Sequence, residues 1–174
     1  SSYAHGVITA LDTQEAEEAE GVHLVLTAAA LETAGLSGKM EASLVKNQDG
    51  QLAPNTDRFL LAKDKVRFVG EPVAMVFAET YAQARAAADM IELEVDDLPV
   101  HLELQPGGPN LHEAAPNNVA FDWALGDSAP REAVKTKEAH VLSSELSDKP
   151  VSSNSMEPRG RWADTESGRV HLGG

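Results

Sequence analysis

The sequence predicts an α+β protein, because its first half contains two successive strand–helix–strand units. In the first unit, residues 4–11 form an apolar, β-branched run, an acidic helical stretch follows at 13–21, and Val22–Thr27 forms a second apolar strand. In the second unit, residues 66–78 read as a strand interrupted at 70–72, residues 81–91 have helical periodicity, and residues 91–97 alternate apolar and acidic side chains.

The ends of the two helices are marked by capping residues. Asp12 and Thr13 form an N-cap pair for the first helix, Gly21 ends it, and Thr80 caps the second helix. The spacing predicts that one face of the second helix packs on the sheet, formed by Tyr81, Ala84, Ala88 and Ile91. The alanines of this helix allow a close approach to the strands beneath it.

The rest of the chain divides by composition. Residues 31–59 are polar and rich in turn signals such as Asp49-Gly50, and they predict a long loop. Residues 105–118 are rich in Pro, Gly and Asn and predict a linker, so we expect one domain over 1–104 and the start of a second over 119–174. In the second domain the sequence predicts a helix at about 127–139, a strand at 140–148 and a hairpin turn at 165–168.

Composition and spacing exclude several classes of function. The chain has 174 residues and a formal net charge of -14 without a basic run, which disfavours nucleic acid or an anionic membrane as a partner. It has no cysteine, and its 6 histidines do not form a metal-ligand motif. It contains no P-loop, GxGxxG or GxSxG motif, and we expect neither a membrane-spanning segment nor a leader. We expect an intracellular protein, with the periplasm as the alternative, and a piece of a longer chain.

Two short stretches are the candidate sites. In VGEP, Gly70 permits an unusual backbone conformation and Glu71 stands before a proline; in SMEPRG, Glu157 and Arg159 flank a second proline. For Glu71 the alternatives are a strand bulge with the carboxylate bonded to local backbone, or a carboxylate presented to another part of the protein. For Glu157 and Arg159 they are an internal ion pair or the lining of a pocket. We assign no catalytic, cofactor-binding or metal-binding residue.

Four blocks, in this order, resemble the molybdenum-binding large subunit of the xanthine dehydrogenase and aldehyde oxidase family. They are SSYAHGVITALDTQEAEEAEGVHLVLTAAAL, DKVRFVGEPVAMVFAETYAQARAAADMIELEVDDLPV, LHEAAPNNVAFDWALGD and NSMEPRGRWAD. The VGEP and MEPRG forms look most like bacterial large subunits of the carbon monoxide dehydrogenase type. The resemblance identifies 1–104 as an α/β hammerhead domain, a mixed sheet with two packed helices, and 119–174 as the start of a molybdopterin-binding domain.

The resemblance implies a molybdenum hydroxylase that oxidises aldehydes or N-heteroaromatic, purine-like substrates and takes oxygen from water. Its cofactor would be molybdopterin cytosine dinucleotide, held mainly by the remainder of the large subunit. Iron–sulfur clusters and FAD would lie on partner domains or subunits, in keeping with the absence of cysteine here. The alternative function is a non-catalytic scaffold domain with the same architecture.

The chain also departs from the family pattern. Ser2 stands where proline is usual, and the family's catalytic glutamate, glycine-rich pterin loops and the glutamine beside molybdenum would all lie beyond Gly174. We therefore expect this piece to be inactive alone. The resemblance implies supporting roles for Gly70, Glu71, Glu157 and Arg159, at the cofactor pocket or between domains. It also predicts that Glu71→Ala disturbs docking more than folding.

Overall fold

The computed structural model describes residues 1–40, 45–103, 105–126, 129, 142, 144, 146 and 161–173. It divides into two compact units, Ser1–Ala124 and Leu125–Gly174. The first unit contains seven strands, β1 to β7, and three helices, α1 to α3, among its described residues. In chain order these are β1 Gly6–Asp12, α1 Gln14–Glu17, β2 Val22–Thr27, α2 Ala28–Thr33, β3 Lys39–Met40, β4 Arg58–Phe59, β5 Lys65–Val66, β6 Ala74–Ala78, α3 Tyr81–Ala88 and β7 Glu92–Asp97.

The two predicted strand–helix–strand units are confirmed, and their strands pair with one another. β1 lies between β5 and β7 in one sheet, whereas β2 pairs with β6 in another. The strands of one strand–helix–strand motif thus pair with strands of the other motif. Ile8 of β1 lies opposite Val95 of β7, and Val25 of β2 lies opposite Val76 of β6. The α+β class is confirmed. The expected mixed sheet is not what the described residues form, because every strand pairing among them is antiparallel.

Each helix connects strands of two different sheets, so none of these helices joins neighbouring strands of one sheet. The chain leaves β1, passes through α1 and enters β2, which lies in the other sheet. A helical crossover within one sheet would have produced parallel neighbours. Here the crossovers instead place α1 and α3 close to β2 and β6, respectively.

The core between the helices and the second sheet consists of small side chains. Its buried members are Ala16 of α1, Val25 of β2 and Ala87 of α3. The predicted face of α3 is right in part: Ile91 packs against the core and Ala84 is half-buried, but Tyr81 is 64% exposed, Ala88 is exposed, and the fully buried residue is Ala87. A face through Ala84 and Ala87 directs the smallest side chains to the point where α3 meets α1.

Local capping explains where the helices begin. The Oγ1 atom of Thr80 accepts the N–H of Gln83 at 3.3 Å, which confirms the predicted cap of α3. The predicted long loop at 31–59 is wrong in part, because α2 begins at Ala28 and ends at Thr33, and β3 pairs with β4. Helix α2 begins directly after β2 because the Oγ1 atom of Thr27 accepts the N–H of Ala30. Helix α1 ends earlier than predicted, at Glu17.

In the second unit, β8 (Trp162–Glu166) and β9 (Arg169–Gly173) form an antiparallel hairpin. Its turn residues Ser167 and Gly168 both have positive φ, which confirms the predicted turn and matches a two-residue hairpin loop. Of the helix and strand predicted at 127–139 and 140–148, only the isolated residues 129, 142, 144 and 146 are described, so these two predictions are not tested. Within the described part of the chain, no helix has both the length and the apolar character needed to cross a membrane.

We expect Ala87→Leu to destabilise the protein, because Ala87 is fully buried between α1 and β2 and has no room for a larger side chain. Overpacking of this kind costs about 1–3 kcal/mol in free energy of unfolding. Ala88→Leu is the matched control on the exposed side of the same helix, with an expected change within about 0.5 kcal/mol. Urea unfolding of the two variants measures the difference, and equal midpoints would show that the helix face is misassigned.

Candidate functional site

The candidate site is the turn Arg67 to Pro72, which follows β5 and leads to β6. Gly70 has a φ of +92°, and a Cβ atom added to it would meet nothing within 4 Å. Glycine is therefore required here by backbone conformation and not by space. The N–H of Glu71 donates to the carbonyl of Phe68 at 3.2 Å, and the carbonyl of Pro72 accepts the N–H of Ala62 at 2.7 Å. The first bond closes the turn on itself, and the second attaches its Pro72 end to the segment before β5.

Glu71 is turned inward and is only 7% exposed. Its Oε2 atom accepts the backbone N–H of Arg67 at 2.5 Å, so the carboxylate closes the turn that contains it. This geometry corresponds to the first of the two alternatives, a carboxylate bonded to local backbone. A charged acceptor makes such a hydrogen bond stronger than a neutral one.

The residues at the tip of the turn have the opposite exposure. Phe68 is 55% exposed and Val69 is 65% exposed. The same turn therefore buries its carboxylate and presents two apolar side chains to the outside. No local sequence pattern distinguishes this arrangement from an exposed Glu71.

The first residues of the chain lie against the turn and against the end of β7. The N–H of Gly70 donates to the carbonyl of Ser1 at 2.7 Å. His5 is buried, and its Nδ1 atom lies 2.7 Å from the carbonyl of Pro99. Because a carbonyl oxygen only accepts, Nδ1 of His5 carries the proton in this contact.

The side chain of Arg67 connects the turn to a later loop. Its Nε atom donates to the carbonyl of Leu111 at 3.3 Å, and Nη1 donates to the carbonyl of Lys65 at 3.5 Å. The neighbour of Leu111, His112, is partly buried. Burial lowers the pKa of His112 below its ordinary value of 6.5, and the nearby charge of Arg67 lowers it further, while Glu71 and Asp57 act in the opposite direction.

The structure thus describes only two of the four site residues that the sequence predicts. Gly70 and Glu71 lie together in the turn described above, whereas Glu157 and Arg159 lie outside the described residues. Sequence reasoning missed His5, Arg67 and His112, which the fold brings to the same turn. They are far apart in the chain and follow no motif spacing, so no local signal connects them.

The described residues were compared with the needs of a bound metal ion. Within the described ranges, no group of three or more His, Asp or Glu side chains is placed to hold a metal ion. The polar groups at the turn are used by backbone partners of the chain itself, including the N–H of Arg67 and the carbonyl of Leu111. These polar groups of the turn therefore serve contacts within the chain.

The chain is similar to proteins of one family. The family model described as "Aldehyde oxidase and xanthine dehydrogenase, a/b hammerhead domain" matches residues 1–99. The large subunit of nicotine 6-hydroxylase from Paenarthrobacter nicotinovorans is 38% identical over 95% of this chain and 20% of its own length. The carbon monoxide dehydrogenase large chain of Afipia carboxidovorans is 29% identical over 84% of this chain and 18% of its own.

Solved structures agree with these sequence similarities. A Cu,Mo-carbon monoxide dehydrogenase in the carbon monoxide reduced state matches with a TM-score of 0.58 and 29% identity, over 79% of this chain and 18% of its own. The aldehyde oxidoreductase of Desulfovibrio desulfuricans matches with a TM-score of 0.53 and 26% identity, over 75% and 14%. The chain spans about a fifth or less of the length of these relatives.

The burial of Glu71 changes the effect expected of Glu71→Ala from a disturbed docking to a disturbed fold. The variant leaves the N–H of Arg67 without its buried acceptor and should destabilise the first unit by about 1–3 kcal/mol. Glu71→Gln keeps an acceptor oxygen and should cost less. The exposed Glu79 provides the matched control, since Glu79→Ala removes a carboxylate that is not buried. The free energy of unfolding of the three variants is the measurement, and equal effects of the two alanine variants would contradict the assignment.

Proposed function

Because the chain belongs to the aldehyde oxidase and xanthine dehydrogenase family through its a/b hammerhead domain, we propose that it is the N-terminal part of a molybdenum hydroxylase large subunit. The intact enzyme oxidises an N-heteroaromatic or aldehyde substrate and takes the inserted oxygen from water. The observation that carries this proposal is the 38% identity to a nicotine 6-hydroxylase large subunit over 95% of the chain. That similarity extends well beyond the hammerhead residues.

Of the two substrate classes, the N-heteroaromatic class is favoured. The relative with 38% identity acts, by its name, on nicotine, which is a pyridine derivative. An aldehyde oxidoreductase from Megalodesulfovibrio gigas is 29% identical over 65% of the chain. A non-catalytic scaffold function is not favoured, because these relatives are named as enzymes or as their subunits.

The cofactor of the intact enzyme, in this proposal, is molybdopterin cytosine dinucleotide, bound mainly by the remainder of the large subunit. Bound there, it would supply the two-electron oxidation, with iron–sulfur clusters and FAD on partner domains or subunits as electron acceptors. A carbon monoxide dehydrogenase large chain and a dehydrogenase complex subunit gamma among the relatives support an assembly of several subunits. The piece described here would be inactive by itself.

In this enzyme, the turn at Gly70 and Glu71 would contact the remainder of the large subunit. The contact would be made by Phe68 and Val69, whose exposed apolar side chains are held in place by the buried Glu71. Covering exposed apolar side chains of this kind with a partner surface is favourable, because it removes them from water. Glu157 and Arg159 keep their proposed role as support at the cofactor pocket or between domains.

The proposal predicts that the full-length protein, purified with its partner subunits, contains molybdenum and releases a cytidine nucleotide on acid hydrolysis. It should reduce an artificial electron-acceptor dye with a pyridine or quinoline derivative, and more slowly with an aromatic aldehyde. Metal analysis and steady-state dye reduction are the measurements. Faster turnover of the aldehyde would reverse the order of the two substrate classes, and an active preparation free of molybdenum would contradict the family function.

The contact predicts that Phe68→Ser combined with Val69→Ser lowers the thermal midpoint of the full-length protein. Each apolar side chain loses a buried environment worth about 1.5–3 kcal/mol. Val100→Ser is the matched control, since Val100 is 44% exposed and lies away from the turn in sequence. Hydrogen exchange at residues 67–72 should increase only in the double variant. A midpoint and an exchange pattern equal to those of the control would show that the turn remains exposed to solvent in the full-length protein.

A further inference from the structure

Residues 105–124, which we call the cover, contain a loop closed by its own hydrogen bonds. The side chain of Asn118 accepts the N–H of Leu111 at 2.8 Å and donates Nδ2 to the carbonyls of Gly107 and Pro109. These three bonds join the end of the loop to its beginning and to its middle. Because they lie within the cover, the loop can move as one piece.

The start of the cover is attached to His101. The Nε2 atom of His101 lies 2.9 Å from the carbonyl of Gln105, and it carries the proton in this contact because a carbonyl oxygen only accepts. The imidazole also lies against Gly108, where an added Cβ atom would overlap Nδ1. His101 follows the end of β7, which the buried His5 holds through the carbonyl of Pro99. The start of the cover is therefore held at a fixed part of the first unit.

The middle of the cover is fastened by one hydrogen bond. The Nε atom of Arg67 donates to the carbonyl of Leu111 at 3.3 Å, across 44 residues of sequence. This distance is longer than the usual one for such a bond, so the bond is weak by itself. Of residues 105–124, all of which are described, only Ala115 is buried. Few apolar groups therefore hold the cover down.

The end of the cover is bound by the hairpin 45–53. The N–H of Gln48 donates to the carbonyl of Asp122 at 2.9 Å, and Nε2 of Gln48 donates to its carboxylate at 2.7 Å. The Oδ1 atom of Asn47 accepts the N–H of Asp122 at 2.9 Å. Two neighbouring residues of the hairpin thus bind the backbone and the side chain of Asp122. We call these three bonds the catch.

The hairpin is closed by backbone bonds of its own. The N–H of Asn47 donates to the carbonyl of Gln51 at 2.8 Å, and the N–H of Ala53 donates to the carbonyl of Val45 at 2.8 Å. Neither bond involves a residue of the cover. Opening of the catch would therefore leave the hairpin formed.

We propose that the cover opens and closes as one piece about its start at His101, so that the Arg67 bond and the catch break and form together. Gln48 and Asp122 are exposed, and hydrogen bonds between exposed groups are replaced by bonds to water at a small net cost in free energy. A segment with few buried groups opens more readily than the core of the same protein. This inference concerns the first unit alone and does not depend on the enzyme function proposed above.

Opening would change a cavity of about 370 Å³ at the base of the cover. Its lining includes His101 and Glu103 on one side, outside the cover, and Asn118 and Phe121 on the other. The second side belongs to the end of the cover and moves with the catch. The closed cover thus gives this cavity its second wall, and the open cover removes it.

Hydrogen exchange on the full-length protein tests the proposal at the amides of Gln48 and Asp122. Both N–H groups donate within the catch, so opening exposes them together. After correction for intrinsic exchange, we expect similar protection at these two amides and higher protection at Asn47, at Ala53 and in the β1–β7 ladder. Protection of the catch amides equal to that of the ladder would show that the cover opens only when the protein unfolds, and would overturn the proposal.

Asp122→Ala tests the catch, because it removes the carboxylate that accepts Nε2 of Gln48 and leaves the backbone bonds of the catch in place. Protection of the amides at positions 48 and 122 should fall several-fold, since the weakened catch opens more often. Glu113→Ala is the matched control, because it removes an exposed carboxylate elsewhere in the cover. Equal protection of the catch amides in the two variants would contradict the role of the catch.

Arg67→Met distinguishes motion of one piece from fraying at one end. It removes the Nε donor to Leu111 and touches no bond of the catch. If the cover moves as one piece, protection at Gln48 and Asp122 falls several-fold, while the amides that close the hairpin keep theirs. Unchanged protection of the catch amides would show that the end of the cover frays alone and would overturn the proposal. If Arg67→Met does not fold, Arg67→Lys, which lacks the Nε–H donor of arginine, takes its place.

Discussion

The first unit depends on the close approach of α1 and α3, which is possible because alanine methyl groups lie between them. Ala16 and Ala87 are both fully buried, and Val25 of β2 fills the space beneath. Larger side chains at these two positions would separate the helices and with them the sheets that they cover. The sheet formed by β2 and β6 is therefore covered through a core of few and small residues.

The position of the candidate turn follows from this core through a short strand. β5 pairs with β1 at only two positions, Gly6 with Val66 and Val7 with Lys65. Val66 is fully buried and anchors the end of β5, so the chain must turn directly after it. Gly70 supplies the positive φ of the turn, and the buried carboxylate of Glu71 satisfies the N–H of Arg67. A burial that would be costly for an isolated carboxylate is offset by this charged hydrogen bond.

Much of the fold was predictable from local patterns, because periodicity and caps act within a few residues. The two strand–helix–strand units, the cap at Thr80 and the turn of the second hairpin follow from such patterns. The face of α3 was predicted only in part, because an alanine-rich helix has little contrast between its apolar and polar sides, and the burial of Ala87 depends on its contact with the core. The pairing of the strands was not predicted either, because strands of the two strand–helix–strand motifs meet through contacts between residues far apart in sequence. His5, Arg67 and His112 converge on one turn for the same reason.

The turn and the later loop at Leu111 are coupled through Arg67. Its backbone N–H donates to the buried carboxylate of Glu71, and its Nε atom donates to the carbonyl of Leu111. Loss of the Glu71 carboxylate would leave the backbone of Arg67 without its acceptor and would loosen the residue that contacts the later loop. The effect of a change at Glu71 should therefore extend across 44 residues of sequence to Leu111.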